Sequence, residues 1–144
     1  MTKPLRTQFV IADGARARWV RRSDHADDFV TTRDLEAENR PAGEPQGVVF
    51  EGSTRQRFSI PESNQAVLEH RARFARRLAE EINAAAAQDE FDRLVVVAPG
   101  RTLSEITRRL SQPATARLAK TLTKDLTKTP DHELISWLRP LEHG

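Results

Sequence analysis

The chain has 144 residues, 23 basic and 21 acidic side chains, a formal net charge of +2 and no cysteine. That length suits a single domain spanning 1–144 with a real core, and the lack of Cys excludes a disulfide framework, a thiolate nucleophile and a Cys-ligated zinc site. No apolar run approaches the ~18 residues of a membrane span, and the opening "MTKPLRTQFVIADG" has no signal-type apolar segment, so a cytoplasmic protein without membrane insertion is expected.

The charge is unevenly placed. Residues 1–22 hold six basic and one acidic side chain, residues 23–64 four and nine, and residues 101–128 seven and two. Such segregation is what an anionic partner would select, and it is also compatible with a solvated, locally paired surface.

In chain order, "TQFVIAD" (7–13) is a continuous apolar stretch that predicts a strand covered on both faces. Asp13-Gly14 is a hairpin turn signal, because glycine accepts the positive φ of such turns. "ARWVRR" (17–22) is the returning strand and "FVTTRDLEAE" (29–38) a third. Residues 39–64, with three Pro and three Gly, predict a long mobile loop. "QAVLEHRARFARRLAEEINAAAAQ" (65–88) predicts a long helix with Val67, Phe74, Leu78 and Ile82 on its apolar stripe. Its Glu69–Arg73, Arg76–Glu80 and Arg77–Glu81 spacings predict i,i+4 ion pairs, hence a solvated face and not a nucleic-acid patch. "FDRLVVVAPG" (91–100) predicts a central strand. A helix opening at Thr102 follows, with Thr102 and Glu105 at capping-box spacing, then a short helix near Pro113. "TLTKDL" (121–126) predicts an edge strand, and a last helix from Thr129-Pro130-Asp131 is expected to bury Leu134, Trp137 and Leu138. A helix crossing over between the third and fourth strands implies a mixed α/β sheet with helices on its faces.

"VIADGARARWV", "RFARRLAEEINAAAAQDEFDRLVVVAPGRTLSEI" and "LTKDLTKTPDHEL", in that order, resemble the bacterial host attachment proteins, described as required for attachment to host cells. Those in turn resemble the middle domain of archaeal and eukaryotic class 1 peptide-chain release factors. The resemblance implies a ribonuclease H-like mixed five-stranded sheet of order 3-2-1-4-5 with helices on both faces, its second strand antiparallel to its neighbours. In the release factors the loop after the third strand carries Gly-Gly-Gln for peptidyl-tRNA hydrolysis. The matching loop 39–64 has only Gln46-Gly47, so the resemblance carries over RNA or ribosome association without that hydrolysis.

The chemistry-bearing residues narrow further. Two-metal phosphodiester cleavage needs several carboxylates around ions ~4 Å apart. Asp13 ends the first strand and Asp92 begins the fourth. In parallel neighbours that places them roughly 17–20 Å apart, and Asp34 and Glu36 alone make a poor site. Asp13 therefore reads as a turn residue. His25, His70, His132 and His143 have no ligand spacing, and no P-loop, dinucleotide fingerprint or nucleophile elbow is present; neither metal nor cofactor is expected. What survives is the carboxyl edge of the first and fourth strands, where α/β sheets open a ligand crevice. Arg16, Arg18, Gly100, Arg101 and Thr102, extended by Lys120, Lys124 and Lys128, are the candidate anion- or RNA-binding residues, with Arg101 gripping phosphate at a helix N-terminus. No exposed aromatic platform for base stacking is expected. The leading expectation is a non-catalytic binding protein whose partner is RNA, the ribosome or another protein. The rivals are an enzyme acting on phosphoesters at that edge and a protein–protein adaptor with an indirect role in attachment.

Overall fold

The computed structural model describes residues 5–24, 27–37 and 60–142, the stretch 60–64 by its backbone only. Strands β1 (Thr7–Ala12), β2 (Arg16–Arg22), β3 (Phe29–Glu36), β4 (Arg93–Ala98) and β5 (Leu118–Thr123) form one sheet of order β3-β2-β1-β4-β5. β2 runs antiparallel to β1 and β3, and β4 runs parallel to β1 and β5, as the family resemblance implied. Four helices, α1 (Ile60–Ala87), α2 (Gly100–Thr107), α3 (Gln112–Arg117) and α4 (Ile135–Leu138), complete the described chain together with short 3₁₀ turns.

The central strands are apolar throughout because both faces are covered. Val10, Ala12, Leu94, Val96 and Ala98 point to the side of α1, α2 and α3, where Phe74, Leu78, Ile82, Ile106 and Ala114 meet them. Phe9, Ile11, Val95 and Val97 point the other way, onto Leu126, Leu134 and Leu138 of the C-terminal segment. Two irregularities change which side chains share a face. The pairing shifts at Trp19/Val20 against β3, so Arg33 lies over the Trp19 ring on the α1 side while Thr31 turns to the C-terminal segment. A shift at Leu94/Val95 does the same to β5: Leu118 packs with the α1 side, whereas Leu122 packs with the other. An extra residue in one strand reverses the alternation beyond it.

Several boundaries differ from expectation. β3 stops at Glu36, and β5 begins at Leu118, because the α3 helix runs directly into it. α1 begins at Ile60, so 60–64 belong to a helix and not to the expected loop; the rest of that loop, and the mobility expected of it, lie outside the described residues. At 28 residues α1 is about 42 Å long, whereas six to eight strand residues span about 20–27 Å. Its buried side chains run only from Phe74 to Ala86, so its N-terminal part overhangs the carboxyl edge of the sheet. Val67, expected in the core stripe, is 45% exposed for this reason. Trp137 was expected inside and is 39% exposed: the C-terminal segment breaks into a 3₁₀ turn, one turn of α-helix and another 3₁₀ turn, and buries Leu134 and Leu138 instead.

Candidate anion-binding edge

The hairpin between β1 and β2 is built around Asp13. Its Oδ1 accepts the backbone N–H groups of Ala15 and Arg16, both at 2.8 Å, and its own N–H donates to the Arg16 carbonyl. The Thr127 hydroxyl sits 3.1 Å from Asp13 Oδ2 and 2.6 Å from Asp125 Oδ1. Asp13 is thus committed to the turn and to residues 124–130, the crossing segment between β5 and the C-terminal 3₁₀ turn. Asp92, at the opposite end of the parallel pair, is gripped by the Arg6 guanidinium and by the Arg6 backbone N–H, which hold its carboxyl down to about 2. The register from Thr7↔Arg93 to Ile11↔Val97 confirms that the two carboxylates face opposite edges.

Gly14 has a role different from the expected one. Its φ lies outside the left-handed range, so no positive torsion calls for glycine. A Cβ at this position would instead meet Cγ, Cδ and Nε of Arg71 at 2.8 Å. The missing side chain lets Arg71 descend from the overhanging part of α1 and lie across the turn. From there Arg71 lines a recess of about 300 Å³ between α1 and α2, together with Arg101, Thr102, Leu68, Glu69 and Glu105.

α2 begins at Gly100, two residues earlier than expected, with Pro99 at its N-cap. The capping box is absent. Proline has no side-chain acceptor to offer, and Thr102 lies inside the first turn, buried to 9% exposure. Glu105 instead accepts from Arg108 and Arg109, and the Arg109 hydrogen bond above all holds its carboxyl below the ordinary value. The Leu103 N–H donates to the Pro99 carbonyl at 2.8 Å, so the three N–H groups before it lack intrahelical acceptors, and no side chain caps them.

Of the expected binding residues, the structure places Arg101 and Thr102 in the lining of this recess, with Gly100 next to them at the start of α2. Arg16 is exposed at the hairpin, with Glu36 directly across the strand pair. Arg18 is a correction. It is 8% exposed and points into the molecule, donating to the carbonyls of Leu126, Thr127 and Thr129, to Thr31 Oγ1 and to Asp131. It fastens the crossing segment to the sheet and has no donor left for a ligand. The lysine series also separates from the recess. Lys120 pairs with Val95 and so takes the face of the C-terminal segment, and Lys124 lies 4.6 Å over the ring of Trp137. Lys128 is exposed in the crossing segment.

The α1 pairing pattern is corrected as well. Glu81 binds Arg33 of β3 at 2.7 Å, and Arg77 donates to the Glu36 carbonyl. Cross-element partners displace the i,i+4 partner because they are anchored on the sheet. Arg71 is absent from the residues that the sequence pattern singles out. Its i±3 and i±4 neighbours are Leu68, Phe74, Val67 and Ala75, none of them acidic, which is the signal that sets it apart from the other arginines of the helix. Among the described residues no group of three or more His, Asp or Glu is placed to hold a metal ion, and no helix is long and apolar enough to cross a membrane.

Fold and edge together define a small mixed α/β protein with a recess, lined by two arginines and two glutamates, beside the carboxyl ends of its parallel strands. The family described as "Protein required for attachment to host cells" matches residues 8–138, and the chain belongs to that family. Comparison with curated proteins gave no match.

Proposed function

We propose that this host-attachment-family protein is a non-catalytic binding protein that takes RNA, free or on the ribosome, at its basic carboxyl edge. The observation that carries the reading is the convergence of Arg71 and Arg101 on one recess, with neither guanidinium in an ion pair among the described residues. Two delocalised, permanently charged groups beside an uncapped helix N-terminus favour phosphate oxygens over other ligands. Asp13 supports the non-catalytic part, since its carboxylate already accepts turn N–H groups. The resemblance to the release-factor middle domain read from the sequence points to the same partner, and a cytoplasmic location is part of this proposal. The test is fluorescence anisotropy of a labelled single-stranded 12-mer RNA at low salt. Saturable binding that Arg71→Gln and Arg101→Gln weaken supports the proposal, and no binding overturns it.

A second reading has one observation in its favour. Val67 and Leu68 are exposed on the overhanging part of α1, at 45% and 38%, as a docking helix for a protein partner would be. Capture of a protein partner that Val67→Ser and Leu68→Ser abolish, with RNA binding absent, would favour the adaptor.

A further inference from the structure

We infer that the recess between α1 and α2 is a seat for a phosphate monoester, the chemistry of a mononucleotide or of an RNA strand's 5′ end. The inference rests on the RNA reading for its source and on the recess itself for its chemistry.

Three elements build the seat. The α2 N-terminus presents the N–H groups of Gly100, Arg101 and Thr102 without a side-chain cap and without an acidic residue in its first turn. Thr102 lines the recess, is nine-tenths buried, and its hydroxyl has no hydrogen-bond partner among the described residues. That hydroxyl is not among the described polar atoms sealed from solvent, so it is open to a ligand that enters the recess. The two arginines come from different elements, Arg101 from α2 itself and Arg71 from α1 across Gly14. The backbone at Gly100 is open: a Cβ added there would meet Thr123 Cγ2 no closer than 3.9 Å.

The charge selects the ligand. Two carboxylates also line the recess, Glu69 and Glu105. Glu105 is answered by Arg108 and Arg109, outside the recess lining. Glu69 is exposed on the helix flank. The positive end of the α2 dipole adds to Arg71 and Arg101. A phosphate monoester brings nearly two negative charges and three acceptor oxygens at neutral pH, which matches two guanidiniums, a hydroxyl and the helix N–H groups. A backbone diester brings one charge and two free oxygens, and its chain must leave the recess on both sides. A monoester has one ester link, leaves the recess on one side only and brings the larger charge, so a strand terminus fits better than a strand interior.

Gly14→Ala is the most specific perturbation. Alanine is compatible with the backbone there, and the three atoms nearest its methyl group all belong to the flexible Arg71 side chain. The charge stays in the molecule and leaves the seat. The experiment compares 3′-labelled octaribonucleotides of one sequence bearing a 5′-phosphate or a 5′-hydroxyl, with AMP as competitor, on the parent protein and on Gly14→Ala, Arg101→Ala and Thr102→Val, each checked for fold by circular dichroism. ¹⁵N amide shifts of Gly100, Arg101 and Thr102 on AMP addition locate the binding. The expected result is about tenfold tighter binding of the 5′-phosphorylated strand, the size of one lost charge-assisted contact, with the difference erased by Gly14→Ala and Arg101→Ala and reduced by Thr102→Val. Equal affinity for the two strands overturns the seat and leaves RNA binding standing. AMP binding at these amides with neither strand bound keeps the seat and overturns the RNA reading. No shift with AMP and no end preference, or a preference indifferent to Gly14→Ala and Arg101→Ala, overturns the seat.

Discussion

Arg18→Ala should destabilise the protein by about 3 kcal/mol, and the number follows from what Arg18 holds. Its guanidinium serves three backbone carbonyls, those of Leu126, Thr127 and Thr129, and the Asp131 carboxylate. Truncation removes one hydrogen bond from each carbonyl, at about 1 kcal/mol apiece, although the Leu126 oxygen keeps the Thr129 N–H at 3.1 Å. A fully buried pair broken on one side costs about 3–5 kcal/mol. Asp131 keeps 42% of its side chain exposed and retains the Thr31 hydroxyl and N–H, so its share adds little beyond the carbonyls. Unfolding entropy of about 2.1 cal/mol/K per residue gives roughly 0.3 kcal/mol/K for 144 residues. The loss then lowers Tm by about 10 °C. Thermal unfolding followed by circular dichroism is the assay, with Arg18→Lys recovering less than half of the loss because one ammonium cannot span the set. A drop below about 3 °C for Arg18→Ala would show that the crossing segment is held by other contacts, and would return Arg18 to the ligand-binding candidates.

Three further outcomes are expected. Asp13→Asn should stay within about 0.5 kcal/mol of the parent in urea unfolding, since the amide oxygen keeps the turn N–H groups and the amide N–H can donate to Thr127, whereas Asp13→Ala should lose about 1–2 kcal/mol. Burial opposes ionisation of Asp131, but hydrogen bonds from Thr31 and Arg18 outweigh it and hold its folded pKa below the ordinary 3.8. Its contribution is therefore complete above about pH 4 and lost as pH falls through the folded value; Asp131→Asn should flatten the acid limb of a stability–pH curve, and an unchanged limb refutes the assignment. Trp19 is 5% exposed and Trp137 39%, so acrylamide should quench Trp137→Phe far less than the parent, and equal quenching would contradict the exposed position of Trp137.

A mixed sheet with covered faces was legible because the apolar runs at 9–12 and 94–98 require cover on both faces and a crossover helix sits between them; the order 3-2-1-4-5 and the antiparallel second strand were implied by the family resemblance alone. The failures are local and share a cause. Arg18 looked like surface charge because "ARWVRR" reads as a basic strand; its burial depends on a segment more than 100 residues later that supplies carbonyls above it. Thr102 and Glu105 had capping-box spacing, yet Pro99 started the helix earlier and moved both residues inward along it. The lysines at 120, 124 and 128 looked like one series, but the irregularity beside Val95 and the Trp137 ring divide them. Arg71 needed the overhang of α1 and the bare backbone at Gly14, and neither is visible in a helical pattern.

The salt dependence of RNA affinity tests the binding edge most directly. Log affinity for single-stranded RNA falls with log salt concentration by about 0.7 per phosphate contact. The parent protein and the Arg71→Gln/Arg101→Gln pair are titrated with the same 12-mer from low to physiological salt, with Arg21→Gln at the opposite end of the sheet as control. The account predicts that the double variant loses about 1.4 from the slope while the control keeps the parent slope; a slope indifferent to Arg71 and Arg101, or changed as much by Arg21, would contradict it.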